Sequence, residues 1–276
     1  MHKQRHNRKQ SSKNPQNNNQ NTLDKLKNKI ENNIKDPRNR YCLEYNEKYS
    51  QILSDISNII EDLKTQPLKV NIKNKTYDIP KNVKNDILDL IIMQKDIGNI
   101  DIKKFQDSLK GDLARNVDAI FQEIDYVIFC KIIDKYVKDI LNLQELADKI
   151  CEIILLSEYL AEKHFSDLPS TKFREFYDYV LRIYENYKKN DGGKNIKWFI
   201  EFSLIKPKIA YYYGKEKKDS NKKLALKKLE YLINSVIDNI DDNTSTPKEK
   251  FEKFENFKTF YESVVAYHRI SAKSEH

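Results

Sequence analysis

Glycine and proline are scarce in this chain: five and seven among 276 residues. Few breakers, with long stretches between them, favour an all-α protein. Cysteine is scarce too. Cys42, Cys130 and Cys151 are an odd number with no CxxC spacing, so neither a zinc nor a redox signature is present. Each lies inside an apolar pattern and is expected to be a buried, inert thiol. No apolar run reaches about 18 residues, which excludes a transmembrane helix of ordinary length. The polar N-terminus shows no signal peptide, and a cytoplasmic location is the expectation. Histidine outside the two ends is limited to His164 and His268, and neither follows an arginine by four to six residues. That removes the pattern of the helical ribonucleases. HExxH, GxxxxGK[ST] and GxSxG are also missing. Acidic residues are plentiful but alternate with lysines, as solvated helix faces do. No catalytic residue, metal site or cofactor is expected.

What the chain does have is positive charge and an apolar share of 39%, enough for a core. The net charge is +8, and it is unevenly placed. Lys3, Arg5, Arg8, Lys9 and Lys13 precede the first acidic residue, Asp24. A second basic excess falls between residues 186 and 228. Basic residues interleaved with aromatics point to a polyanion, most simply nucleic acid.

Residues 1–21 are basic, rich in Asn and Gln, and lack apolar periodicity. They read as a disordered tail, either solubilising or an RNA-binding arm. Residues 22–141 read as a helical extension, and their sequence assigns them no function. Within them Tyr45, Tyr49, Ile52, Ile56, Ile59 and Leu63 predict a helix over 41–64. Alternation around Lys73 and Asn74 predicts a small hairpin. A helix over 81–97 follows. Over 112–141, Val127, Ile128, Phe129, Cys130, Ile132 and Ile133 fall in near succession. A helix apolar on most of its circumference is a buried one. The first half is then either an independent unit or an extension packed on the second.

Residues 142–276 read as a bundle of about five helices. Leu146, Ile150, Ile153 and Leu160 line one helix. Phe173, Phe176, Val180, Ile183 and Tyr187 stripe the next, which Ser170 and Thr171 cap. A helix through Trp198, Phe199 and Phe202 runs to Pro207, which should kink or restart it. Leu229, Ile233, Val236 and Ile240 face the core of another, with Lys223 and Lys227 opposite. Thr246, Pro247 and Glu249 make a capping box with proline at the first helical position. The last helix buries Phe254, Phe257, Tyr261, Val264, Val265 and His268.

Three segments carry a further signal: residues 170–180 (STKFREFYDYV), 205–215 (IKPKIAYYYGK) and 251–269 (FEKFENFKTFYESVVAYHR). In this order they resemble the small helical subunit of type III-A CRISPR effector complexes, the Csm type, over residues 144–272. The resemblance implies a noncatalytic RNA-binding subunit. It would line the guide–target duplex and contact target and guide RNA backbones, the backbone and large subunits, and other copies of itself. It further implies that Arg174, Lys206, Lys208 and Lys215 contact RNA, with Lys172 and Arg269 as weaker candidates. Glu175 and Lys215 depart from the family's usual basic residue and arginine. On composition alone, the 206–208 turn is equally well a solvated helix end with Tyr211, Tyr212 and Tyr213 in the core. Otherwise lysines bind phosphate as point charges and the tyrosines stack on bases. The competing function is a helical scaffold that binds protein only.

Overall fold

The computed structural model describes residues 43–72, 75–92, 113–143, 149–190 and 194–271. The tail over 1–21, Cys42, Leu146 and the hairpin turn at 73–74 lie outside these. The chain divides into two compact units, Met1–Glu47 and Lys48–His276, and the core and the candidate site belong to the second.

Helices dominate, as the scarcity of breakers requires. Helix α1 spans Leu43–Thr65 and buries Ile52, Ile56, Ile60 and Leu63 at helical spacing. Strands β1 (Lys69–Ile72) and β2 (Lys75–Asp78) then pair antiparallel, with Val70 opposite Tyr77. This is the expected hairpin. Helix α2 (Lys81–Ile92) follows the hairpin. Its buried Lys84 donates to the carbonyl oxygens of Lys64 (2.9 Å) and Gln66. These carbonyls at the end of α1 have no partner within the helix, so the ammonium satisfies them.

A single 3₁₀ turn (Ala114–Asn116) leads into α3 (Val117–Leu141). Ile120, Phe121, Ile124, Ile128, Phe129 and Ile132 are each at most 2% exposed. Such an arc is wider than the single stripe of a surface helix. Its main partner is α8 (Ser220–Ile240), and α9 (Pro247–Ser271) covers it as well. So α3 packs against both α8 and α9. The ring of Phe129 meets Phe165 at 5.8 Å and Tyr231 at 6.5 Å. Asn256 of α9 donates to Leu141 O at 2.8 Å, satisfying the end of α3. Tyr136 of α3 donates to Asp55 of α1 at 2.8 Å, within the second unit.

The remaining helices are α4 (Ile150–Lys163), α5 (Ser170–Asn190), α6 (Lys197–Ser203) and α7 (Ile205–Lys215). Helix α9 packs on α4 and α5, and α8 packs on α7. The segment through Trp198 restarts at Leu204 and becomes two helices. Pro207 sits in the first turn of the second, where its missing N–H breaks no helical bond. The capping box holds: Thr246 N donates to Glu249 Oε2 at 2.6 Å, and Glu249 N donates to Thr246 Oγ1 at 3.3 Å.

Three expectations change. Ile150 is 43% exposed, because it occupies the first residue of α4 and projects past the core. Tyr187 and Val265 are half-buried at the edges of their stripes, and the Tyr187 hydroxyl donates to Glu201 at 2.8 Å. Cys130 and Cys151 are half-buried rather than buried. Desolvation nonetheless raises the Cys130 thiol to about 11, so it stays protonated at neutral pH.

Candidate nucleic-acid interface

Helix α7 is held by Ile205 and Ile209, one turn apart and both fully buried. Their burial turns the rest of its circumference, with Lys206, Lys208, Ala210, Tyr211, Gly214 and Lys215, toward neighbouring helices or solvent. What was expected as a turn at 206–208 is therefore the opening turn of a helix.

Most of the expected cations on this face already have partners. Lys172 Nζ donates to Glu175 Oε2 at 2.8 Å and to the Tyr212 hydroxyl at 3.0 Å. Lys208 Nζ lies 3.1 Å from Glu175 Oε1, and the Tyr212 hydroxyl donates to the same oxygen at 3.1 Å. These donors, Lys172 foremost, lower the Glu175 carboxyl to about 2. Lys206 pairs with Asp238 at 3.7 Å. Arg174 Nε reaches Asp178 at 3.9 Å, a weak contact with both side chains exposed. Arg269 lies exposed in the last turn of α9. Glu175 thus gathers Lys172 and Lys208 into one knot, and a carboxylate at its centre offsets their charge.

A cluster of lysines without acidic partners lies further along, where α7 meets α8. Lys215, Lys217, Lys218 and Lys223 make no ion pair among the described residues. The two acids between them accept from backbone N–H groups, and Asp219 Oδ2 also lies 3.7 Å from Lys222 Nζ. Glu216 Oε1 accepts from the N–H groups of Lys218 and Asp219, each at 3.1 Å. Asp219 caps α8, its Oδ1 accepting from Asn221 N and Lys222 N at 3.0 Å each. Backbone donors lower the Glu216 carboxyl. The corner is pinned by its own carboxylates, and Lys215, Lys217 and Lys218 are exposed on it while Lys223 is half-buried. The local basic excess over 186–228 pointed to this region. It did not single out Lys217, Lys218 and Lys223, because which lysines are neutralised depends on residues distant in sequence.

The three tyrosines separate. Tyr212 is half-buried in the Glu175 knot, its ring edge-on to Phe176 at 5.6 Å. Tyr213 is half-buried, and Lys223 Nζ sits 4.7 Å from its ring centroid. Tyr211 is 62% exposed, with Lys215 Nζ 5.9 Å from its centroid. One tyrosine of three is therefore free to meet a ligand.

His164 and His268 are core residues. His268 Nε2 donates to Phe165 O at 2.9 Å, and its ring packs on Phe173 at 4.5 Å. His164 is buried against Lys228 and Phe129. Among the described residues, no group of three or more His, Cys, Asp or Glu could hold a metal ion. No described helix is long and apolar enough to cross a membrane.

Residues 147–274 match the family described as Csm2 Type III-A, a span just short of half the chain. No curated protein and no solved structure matches the chain.

Proposed function

We propose that this chain, whose residues 147–274 match the Csm2 Type III-A family, works as a noncatalytic RNA-binding component of the type III-A CRISPR complex. It lies along the guide–target RNA duplex and steadies it by the sugar-phosphate backbone, beside backbone and large subunits and further copies of itself, in the cytoplasm. Sequence is read by pairing between guide and target, and this chain supplies shape and charge. The observation that carries the reading is the α7–α8 corner. There Lys215, Lys217, Lys218 and Lys223 make no ion pair among the described residues, while Glu216 and Asp219 accept from backbone N–H groups. Arg174 and Arg269 extend the set. Lys172, Lys206 and Lys208 contribute once RNA phosphate competes with Glu175 and Asp238.

The test is RNA binding by the full chain over a salt series. Removing one lysine–phosphate pairing lowers the log–log slope by about 0.7 on single strands. Changing Lys215, Lys217 and Lys218 to Ala together should flatten the slope by about 2 and weaken unrelated sequences alike. Binding that is absent, or indifferent to salt, overturns the reading. It would favour a protein-only scaffold, for which Ile196, Ile200 and Leu204, exposed at four-residue spacing, would be the contact face. No strand cleavage is expected from purified protein, with or without divalent metal. Turnover that disappears on changing His164 or His268 would contradict this.

A further inference from the structure

We propose that the groove beside Tyr211 is a stacking site for one unpaired base of single-stranded RNA, with Lys215 and Lys217 holding the adjoining phosphate. The proposal rests on the RNA-binding reading and goes beyond it, since backbone contact with a duplex needs no aromatic surface.

The groove is shallow and is lined by Ala210, Tyr211, Gly214, Lys215 and Lys217. Its chemistry is divided. Its lining combines one aromatic side chain, an alanine methyl, a glycine and two lysines. A Cβ built on Gly214 would meet nothing within 4 Å, so the space above that backbone is open. The groove therefore has open space on its Gly214 side, beside the exposed ring.

The ring is held ready for this. Tyr211 meets Tyr212 edge-on, with centroids 5.5 Å apart and planes at 71°. Tyr212 is in turn immobilised through its hydroxyl, which accepts from Lys172 and donates to Glu175. The Glu175 knot, which neutralises two lysines, thereby gains a second role as the support of the exposed ring. A pre-positioned aromatic loses little side-chain freedom on binding. Every base has a π-face, so such a site tolerates any sequence, and the lysines supply the affinity for the strand. A paired base offers no free face, so the site discriminates between single strands and duplex. It suits nucleotides at a strand end or displaced from pairing.

The experiment compares the full wild-type chain with Tyr211→Ala, Tyr211→Phe and Gly214→Leu. Each is titrated against oligo(U), oligo(A) and a blunt RNA duplex of equal length. Tyr211 and Gly214 are exposed, and a thermal melt checks that each variant folds. Tyr211→Ala should weaken both single strands about ten-fold, leave the duplex affinity unchanged and keep the salt slope. Tyr211→Phe should bind as wild type. Gly214→Leu, which fills the groove while leaving the ring, should weaken single strands in the same way. If wild type binds RNA with a salt slope and Tyr211→Ala matches it on all three ligands, the stacking site is wrong and the RNA-binding reading stands. Equal weakening on single strands and duplex also overturns the stacking site. If wild type binds none of the three, both readings fall.

Discussion

Lys228 Nζ lies 2.9 Å from His164 Nδ1, with each residue no more than 5% exposed. Asp125 Oδ2 also pairs with the lysine, and Asp125 Oδ1 is 3.5 Å from the imidazole. Helices α3 and α8 and the residue that closes α4 meet at this point. Since an ammonium group can only donate, Nδ1 accepts, and His164 is the neutral tautomer with its proton on Nε2. Phe129 and Tyr159 close over the ring edge-on at 5.1 and 5.4 Å.

The arrangement sets a pH dependence. Burial first, then the charges of Lys228 and Lys163, holds the His164 pKa well below its ordinary value. His268 is lowered in the same direction, chiefly by burial. In the unfolded chain both protonate near about pH 6.5. The unfolded state therefore binds more protons below that value, and stability falls with acid. The contribution is complete above about pH 6.5 and is lost progressively as pH drops toward the folded-state values. Urea midpoints between pH 8 and 5 should show the decline, and His164→Gln should remove part of it. A midpoint flat across that range contradicts the assignment.

Removing the lysine should be costly. Lys228→Met leaves the Asp125 carboxylate and His164 Nδ1 without their donor in the interior. Breaking a buried pair from one side costs about 3 to 5 kcal/mol. The low end is expected here, since the Asp125 side chain keeps 16% of its exposure. Adding Asp125→Leu should recover part of the loss. Equilibrium urea unfolding measures both, and a single variant within about 0.5 kcal/mol of wild type would refute the role.

Glu175 should act as a brake on RNA binding. Glu175→Gln releases Lys172 and Lys208, and the log–log salt slope should steepen by about 0.7 for each cation that then reaches phosphate. Glu185→Gln, on the same helix and exposed, is the control. It removes the same charge without freeing a lysine and should leave the slope unchanged. Equal effects of the two substitutions would reduce Glu175 to general electrostatics.

Helix α3 should be indispensable to the bundle. A chain beginning at Asn142 uncovers apolar surface on α8 and strips the α3 partners from Lys227, Lys228 and Tyr231. It should aggregate or melt without cooperativity, with dye-binding apolar surface exposed. A soluble fragment with a sharp melt would show that the first 141 residues form a separate module.

Secondary structure and core were legible in the sequence because both are written in local periodicity. Phe173, Phe176, Val180 and Ile183 must share a face of any helix that contains them. Pro207 must open a helix or break one, and Thr246 with Glu249 can cap only a helix that begins immediately after Thr246. The apolar circumference of residues 112–141 required burial, though not burial against α8. Charge was a different matter. Lys206 and Lys208 looked as free as Lys215, yet Asp238 and Glu175 reach the first two, while Lys215 has no acidic partner among the described residues. Nor could spacing reveal that Tyr211 faces solvent while Tyr212 is fastened to Glu175. A helix period decides which residues share a face. Which faces are covered, and which charges cancel, is decided only when helices distant in sequence pack within a few ångströms of one another, where Coulomb and hydrogen-bond energies become large.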